Sequence, residues 1–342
     1  MSNLRNLIAA LHRQMDDAHD MAGRLRLNEP LARHTTYRIG GPADLLLVAR
    51  TTGELCTWAR LAQEHDVPRL ILGLGSNVLV ADAGVRGLTL INACRGFRLN
   101  VEGELVVESG AGFSRVARAT AKAGWQGLEW AAGIPGTMGG AVVGNAGAFG
   151  GCIADVLQRV TLLLPDGSVH TVAAAELGYG YRTSALNRAD SQSRWAGAIV
   201  LDATMALQPG DAAELGERMA QIGASRRARQ PAGHCAGSVF KRTEGYPAGF
   251  LIDQAGLKGT RIGGAVVSTK HANFFMNVDG ATANDVLALM ELARNTVWET
   301  FAQRIEPEIE LVGEWPQRPW SEAPVSQPWQ HAVVPIGNGQ NG

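Results

Sequence analysis

The chain has 342 residues, more than one hydrophobic core usually supports, so we expect two or three domains. Its formal net charge of -1 provides no basic field that would attract nucleic acid or anionic lipid, which leaves a small molecule as the expected partner. Glycine is over-represented at 42 of 342 residues, about 12% against roughly 7% in average proteins, so it must be concentrated where the backbone needs freedom.

The ends of the chain and its cysteines narrow the class further. Residues 1–24 read as an N-terminal helical segment whose early acids are wrong for a signal peptide, and no run reaches membrane-spanning length, so we expect a cytoplasmic protein. The cysteines form no CxxC pair and the histidines lack ligand spacing, which predicts reduced, buried thiols and no metal site. These cysteines are Cys56, Cys94, Cys152 and Cys235.

Strands and helices alternate in the first part of the chain. We expect strands at 45–48, 70–72 and 88–92, with a helix between the first two that starts at a capping box of Thr51 and Glu54. A strand at 105–108 and a helix from Phe113 that ends near Gly124 follow. Residues 133–151 are too glycine-rich for a stable helix or strand interior, so we predict a long functional loop there.

The remainder divides into a β-rich stretch and a last α+β unit. Strands are expected at 160–164, 169–172 and 198–205, and a helical segment from Asp211 marks the boundary. A helix capped by Thr282 and Asp285 precedes a strand at 309–312. We therefore predict domains at 25–92, 93–210 and 211–315, and a proline-rich, disordered tail at 316–342.

Two glycine-rich runs, GLGSN at 73–77 and the stretch 133–147, are candidates for holding phosphate through converging backbone N–H groups. Ser76 and Asn77 add side-chain donors to the first run. The alternative is that these glycines only make turns. The first run continues into an apolar stretch without the third glycine of a Rossmann site, which argues against that fold. Neither run has the Gly-Lys-Ser/Thr of a P-loop, which argues against an ATPase.

Eight motifs in order strongly resemble the UDP-N-acetylenolpyruvoylglucosamine reductase family, over roughly residues 30–313. They are TTYRIGGPAD (35–44), GLGSNVLVADAGVRG (73–87), GIPGTMGGAVVGNAGAFGG (133–151), GYRTSALN (180–187), GSVFK (237–241), AGFLIDQAGLKG (248–259), IGGAVVSTKHANFF (262–275) and IEPEIELVG (305–313). The resemblance implies an α+β protein with a two-lobed FAD-binding domain of the vanillyl-alcohol-oxidase type and a C-terminal substrate domain. It is similar to the form of the family that lacks an extra substrate-capping insertion.

The resemblance also implies an activity and site residues. The activity is reduction of UDP-N-acetylglucosamine enolpyruvate to UDP-N-acetylmuramate with NADPH and non-covalent FAD, in peptidoglycan synthesis. Separately from the resemblance, we expect a monomer. The implied FAD contacts are Gly73, Gly75, Ser76, Asn77, Val78, Leu79, Gly133, Pro135, Gly136, Gly139, Gly140, Asn145, Ala146 and Gly147. The candidate substrate contacts are Tyr181, Lys241, Gln254 and Lys258, with solvated helix-end positions as the alternative for Gln254 and Lys258. The implied catalytic residues are Arg182, Ser238 and Glu308.

These residue types suit the chemistry of an enol ether that receives hydride and then carries negative charge beside its carboxylate. Arg182 can grip that carboxylate, Ser238 can give a proton if a cation such as Lys241 lowers its pKa, and Glu308 can be held protonated near an anionic substrate. Glu306 competes with Glu308 for this role. Arg242 and Thr243 stand where the family usually has Asn-Pro, which changes a turn beside Ser238.

Two other functions remain open at this point. A flavin oxidase of the same fold would need no proton donor, so Ser238 and Glu308 argue against it. A flavin- or nucleotide-binding module without turnover is suggested by the altered turn at Arg242 and Thr243, and such a protein would be yellow but not bleached by NADPH.

Overall fold

The computed structural model describes residues 2–14, 24–187 and 194–315, which form an α+β protein. In these ranges the α-helices are α1 (Ser2–Gln14), α2 (Thr52–Glu64), α3 (Phe113–Lys122), α4 (Met138–Val143), α5 (Ala212–Arg229), α6 (Ala248–Gln254) and α7 (Ala283–Phe301). The strands of the first 100 residues are β1 (Leu25–Pro30), β2 (Pro42–Ala49), β3 (Arg69–Leu72), β4 (Val78–Val80), β5 (Val85–Asn92) and β6 (Phe97–Leu99).

Twelve further strands follow in the described ranges. Those of the middle of the chain are β7 (Glu104–Glu108), β8 (Trp125–Gln126), β9 (Gly147–Ala148), β10 (Gly151–Cys152), β11 (Leu157–Leu163), β12 (Val169–Ala173), β13 (Ile199–Ala206) and β14 (Gln208–Pro209). The last are β15 (Arg261–Ile262), β16 (Ala265–Val267), β17 (Phe275–Asn277) and β18 (Glu310–Val312).

The first sheet has the strand order β1-β2-β5-β3, with β1 antiparallel to β2 and the other neighbours parallel. Leu45 and Leu47 of β2 pack in one core with α1 and α2, whereas Leu46 packs in another core on the opposite face. Neighbouring leucines face opposite cores because successive side chains of a strand point to opposite faces of the sheet. Burial of both faces explains why β2 contains a continuous apolar run at 45–48. The predicted capping box of Thr51 and Glu54 begins α2.

The second sheet is antiparallel, with the order β12-β11-β13-β7-β6. Helix α3 lays Phe113, Val116 and Ala117 against the same core as Val160 and Leu162 of β11. The apolar spacing of α3 therefore reflects one buried helix face, as its sequence indicates.

The C-terminal part combines α6, α7 and the small sheet β15-β16-β17 around one core. Tyr37 and Leu79, from the beginning of the chain, are buried in that core too. Strand β18 completes the connection by pairing in parallel with β4, so Leu311 lies opposite Leu79. The last strand of the described residues thus returns to the strand that directly follows GLGSN. The domain bounds 25–92, 93–210 and 211–315 stay a prediction.

Most predicted elements are confirmed. The expected strands and helices correspond to β2, α2, β3, β5, β7, α3, β11, β12, β13, α5, α7 and β18, with ends shifted by a few residues. Helix α3 ends at Lys122, and Gly124 follows with φ of +78°. The tail at 316–342 lies outside the described residues. None of the helices in the described part of the chain has the length and hydropathy of a membrane span.

The prediction that residues 133–151 contain no helix or strand interior is wrong, because α4, β9 and β10 lie there. Thr137 caps α4 by accepting the Gly140 N–H at 3.5 Å, and Met138 and Val142 are fully buried. Gly139 sits in the first turn, where a Cβ atom would come within 2.9 Å of Ser109. Burial and close packing therefore stabilise a short helix that glycine propensity alone disfavours.

The cysteine prediction is confirmed in part. All four thiols are free, but only Cys56 and Cys94 are buried, whereas Cys152 and Cys235 are partly exposed. Burial raises the pKa of the Cys94 thiol to about 12, which leaves it protonated and unreactive at neutral pH.

Candidate active site

The loop 73–77 leaves β3 and enters β4, a strand, where a Rossmann loop would open a helix. Gly75 has φ of +59°, and a Cβ atom there would lie 2.3 Å from the carbonyl oxygen of His34. Its own carbonyl accepts the Thr36 N–H at 3.0 Å. Among the described residues no hydrogen bond engages the N–H groups of Leu74, Gly75, Ser76 or Asn77. A tightly held loop with four consecutive free donors is the arrangement that a pyrophosphate requires, so the loop fits FAD.

The second glycine-rich stretch faces the first. A Cβ atom on Gly73 would lie 2.5 Å from Thr137 Oγ1, and one on Gly136 would lie 3.1 Å from Ser76 Oγ. The two loops meet at atomic contact, although they are separated by about sixty residues of chain. Pro135 and Gly133 lie just before this contact, Gly139 and Gly140 lie in α4, Asn145 and Ala146 follow it, and Gly147 begins β9. The contact brings the stretch around Gly136 and Thr137 against the first loop, which continues into β4 with Val78 and Leu79.

Tyr181 and Arg182 form a tight turn that the second loop holds. The side chain of Asn145 donates to the Gly180 carbonyl at 2.8 Å, and Gly180 and Thr183 bridge across the turn. Arg182 has φ of +54°, a backbone conformation that residues other than glycine rarely adopt. Such strain is maintained only where surrounding contacts fix the chain, so the backbone position of Arg182 is held by the contacts of this turn.

The segment that contains Ser238 runs antiparallel to the segment that contains Glu308. The Glu308 N–H donates to the Val239 carbonyl at 2.8 Å, and the Lys241 N–H donates to the Glu306 carbonyl at 2.8 Å. Ser238, immediately before Val239, is half-buried. The two predicted catalytic residues therefore lie on adjacent segments that main-chain hydrogen bonds join directly.

Arg182 and Glu308 form an ion pair with 2.6 Å between Nε and Oε1. The Nε–H group does not meet hydrogen-bond geometry and has no hydrogen-bond partner among the described residues. Burial raises the pKa of the Glu308 carboxyl, while the Arg182 and Lys241 cations partly counter that effect. The carboxyl is thus easier to protonate than an ordinary glutamate, even beside an arginine.

The two acids of IEPE occupy different environments. The Glu308 side chain is 15% exposed and contacts Arg182, whereas the Glu306 side chain is 76% exposed and lies 3.7 Å from Lys241 Nζ. A solvated acid has little influence on a reacting group, so the geometry favours Glu308 for the role in chemistry.

The proposed substrate residues are only partly brought together. The Tyr181 hydroxyl accepts the Arg242 N–H at 3.3 Å, which ties the Tyr-Arg turn to the GSVFK segment. Gln254 ends α6 and is exposed, and Lys258 pairs with Asp253 at 2.6 Å. Within the described ranges no hydrogen bond or ion pair joins Gln254 or Lys258 to Arg182, Ser238 or Glu308.

Sequence reasoning missed one structural connection within the site. The side chain of Asn77, expected only as a phosphate donor, donates to the Glu308 carbonyl at 3.1 Å, and the Glu310 N–H donates to the Asn77 carbonyl at 2.9 Å. The apolar run after GLGSN was a signal for strand β4, but its partner β18 was not evident from the sequence. Two hydrogen bonds therefore join the first glycine loop directly to the Glu308 segment.

Comparison with known proteins agrees with this geometry. Residues 43–173 match the family model described as FAD binding domain, and residues 230–312 match the one described as UDP-N-acetylenolpyruvoylglucosamine reductase, C-terminal domain. The enzyme named UDP-N-acetylenolpyruvoylglucosamine reductase 2 from Symbiobacterium thermophilum is 45% identical over 300 residues, which are 87% of this chain and 94% of that protein.

A second relative and a solved structure extend the comparison. The UDP-N-acetylenolpyruvoylglucosamine reductase of Rubrobacter xylanophilus is 46% identical over 84% of this chain and 95% of its own. The crystal structure of the Thermus caldophilus reductase superposes with a TM-score of 0.71 at 36% identity, covering 84% of this chain and 99% of that one. The predicted fold class, an FAD-binding domain followed by a C-terminal domain, is confirmed. The chain belongs to the UDP-N-acetylenolpyruvoylglucosamine reductase family.

Proposed function

We propose that this chain reduces UDP-N-acetylglucosamine enolpyruvate to UDP-N-acetylmuramate with NADPH as hydride donor. The observation that carries the proposal is the convergence of Arg182, Ser238 and Glu308 from three separate segments beside two facing glycine loops. A charge-stabilising cation, a hydroxyl and an easily protonated carboxyl are the groups needed to reduce an enol ether. An oxidase of the same fold would have no use for the last two.

The residues that would hold FAD are the free N–H donors of 74–77 and the residues of the opposing stretch 133–147. Bound FAD, once reduced by NADPH, supplies the hydride that adds to the vinyl carbon of the substrate. No described residue has to form a covalent bond for this arrangement, so we expect non-covalent binding.

Arg182 orients the substrate by its carboxylate. Its guanidinium is always charged and can form two parallel hydrogen bonds to a carboxylate, and its Nε lies 2.6 Å from Glu308 Oε1, which places a bound carboxylate next to that acid. A substrate carboxylate at this position adds negative charge next to Glu308. That charge raises the pKa of Glu308 further, so the arriving substrate favours the protonated carboxyl, which can then donate a hydrogen bond or a proton.

Ser238 is our candidate for the proton that completes the reaction. After hydride addition, negative charge on the carbon beside the carboxylate makes that carbon a strong base, which a serine hydroxyl can protonate if its pKa is lowered by a cation. Lys241 follows on the same segment, with Nζ 3.7 Å from Glu306 Oε2, and is the proposed source of that positive charge. Tyr181, Gln254 and Lys258 remain candidates for binding the nucleotide moiety.

The biological setting follows from the product, which is a precursor of peptidoglycan. We propose that the enzyme acts as a monomer in the cytoplasm and that it supports cell shape and division through this pathway. The oligomeric state can be measured by light scattering of the holoenzyme.

The direct test separates the two half-reactions under anaerobic conditions. NADPH is mixed with purified holoenzyme, and the flavin absorbance is expected to fall. UDP-N-acetylglucosamine enolpyruvate is then added, and the absorbance is expected to return with one UDP-N-acetylmuramate formed per flavin. Bleaching without return would contradict the proposed substrate, and a yellow protein that NADPH does not bleach would instead indicate a binding module.

A further inference from the structure

The segment 237–241, which carries Ser238 and Lys241, belongs to none of the regular strands in the described part of the chain. On one side it is held by main-chain bonds from Glu308 to Val239 and from Lys241 to Glu306. A segment without a second strand beside it must satisfy its remaining buried main-chain groups in another way. The hydrogen bonds on the opposite side of the segment 237–241 therefore determine how firmly Ser238 is held in position.

Asn273 makes the hydrogen bonds on that opposite side of the segment. Its side chain is buried, and its amide binds Phe240 twice: Nδ2 donates to the Phe240 carbonyl at 2.8 Å, and Oδ1 accepts the Phe240 N–H at 2.9 Å. Its own carbonyl accepts the Val239 N–H at 2.9 Å. A primary amide carries a donor and an acceptor side by side, so this one side chain replaces the pair of hydrogen bonds that a neighbouring strand would make.

Asn273 is itself fixed by the turn before it. Its N–H donates to His271 Nδ1 at 3.2 Å, and the Phe274 N–H donates to the His271 carbonyl at 2.9 Å. The Asn273 side chain therefore reaches Phe240 from a turn that two hydrogen bonds close.

We propose that Asn273 is a positioning residue for the reduction of the substrate, because it sets where Ser238 stands relative to Glu308. Val239, which directly follows Ser238, keeps its main-chain bonds to the Asn273 carbonyl and the Glu308 N–H whatever side chain stands at 273. The Asn273 amide itself holds Phe240, the next residue of the segment. Loss of the amide frees the Phe240 side of the segment but leaves the Glu308 side attached. This inference rests on the proposed function, since the positioned groups are the proton donor and acid of that reaction.

The expected effect is confined to one half-reaction. A misplacement of about 1 Å at a reacting group can cost on the order of 10²-fold in rate. Asn273→Ala is therefore expected to slow flavin reoxidation by UDP-N-acetylglucosamine enolpyruvate about 10²-fold. FAD content and flavin reduction by NADPH should stay within about twofold of wild type, because neither needs Ser238.

The control is Thr282→Ala in the same part of the protein. Thr282 caps α7 by accepting the Asp285 N–H at 3.1 Å, so its loss also lowers stability but leaves the segment 237–241 untouched. Stopped-flow absorbance is recorded for both half-reactions of the three holoenzymes, together with their melting temperatures. Thr282→Ala should retain the wild-type rate of reoxidation despite a lower melting temperature.

A second variant, Asn273→Asp, keeps the acceptor for the Phe240 N–H and remains informative if Asn273→Ala does not fold. An ionised carboxylate would face the Phe240 carbonyl with a lone pair, whereas the protonated acid can donate to it, and burial raises the pKa of the introduced carboxyl. The ratio of the wild-type reoxidation rate to the Asn273→Asp reoxidation rate should therefore decrease about tenfold as pH falls from 8 to 6. A purely structural role gives a ratio that does not change with pH.

The outcomes are distinct. If the enolpyruvyl substrate does not reoxidise the flavin of the wild-type enzyme, the proposed function itself is wrong. Wild-type turnover together with an unchanged reoxidation rate in Asn273→Ala overturns the positioning role. An equal loss in Thr282→Ala overturns it too, and so does a ratio for Asn273→Asp that is independent of pH.

Discussion

Gly75→Ala tests whether the first glycine loop is held in the shape that FAD needs. Gly75 has φ of +59°, where an alanine costs about 1–2 kcal/mol in backbone energy. In addition, the new Cβ would lie 2.3 Å from the His34 carbonyl oxygen and 2.8 Å from Thr35 Cα, both backbone atoms that cannot rotate away. Overpacking of this kind costs about 1–3 kcal/mol, so the total expected loss in the free energy of unfolding is about 2–5 kcal/mol.

Gly280→Ala is the matched control. Gly280 has φ of +62°, almost the same backbone conformation, but a Cβ atom there would meet nothing within 4 Å. Its expected loss is the backbone cost alone, about 1–2 kcal/mol. The difference between the two variants therefore measures the steric contact at His34 and Thr35, with the backbone contribution cancelled.

Urea denaturation of both apoproteins and fluorescence titration with FAD provide the two measurements. The Gly75→Ala loop must shift to relieve the contact, which moves the free N–H groups of residues 74–77 away from the pyrophosphate. FAD affinity is expected to fall at least tenfold, or about 1.4 kcal/mol, while Gly280→Ala keeps the wild-type affinity. Equal stability and equal FAD affinity in the two variants would refute the reasoning.

Other variants test the catalytic assignments and the pH dependence. Ser238→Ala should slow flavin reoxidation by the substrate about 10²- to 10⁴-fold while NADPH reduces the flavin at the wild-type rate; equal slowing of both steps in stopped-flow would make Ser238 structural. Glu308→Gln should slow reoxidation by a similar factor and Glu306→Gln by less than about twofold, because Glu306 is 76% exposed; the reverse order would exchange their roles. Burial raises the Glu308 pKa above its ordinary 4.5, so the stability that this group contributes is complete below pH 4.5 and is lost as pH rises through the folded pKa. In urea denaturation the free energy of unfolding of wild type should therefore fall relative to that of Glu308→Gln as pH rises through this range. Burial lowers the His271 pKa below its ordinary 6.5, so wild-type stability should fall as pH decreases below 6.5, and His271→Gln should lack that component of the pH profile.

The sequence by itself determined the local elements and the chemical groups. Capping boxes at Thr51 and Thr282 and the apolar spacing of α3 and α7 specify those helices, because their signals lie within a few turns of the same chain. The glycine loops by themselves indicated a phosphate group, and the resemblance of the eight motifs to one family indicated the flavin and the reaction. Glycine content misled only at 133–151, where tertiary burial of Met138 and Val142 stabilises α4 against its low propensity.

Only the tertiary structure decided how these groups meet. Asn77 and Glu308 are 231 residues apart, and their contact depends on the parallel pairing of β4 with β18, which no local pattern encodes. The pairing of Arg182 with Glu308 and the amide clamp of Asn273 on Phe240 depend in the same way on segments that fold from distant parts of the chain. The raised pKa of Glu308 is caused chiefly by burial, and burial is a property of the assembled core that the order of residues does not reveal.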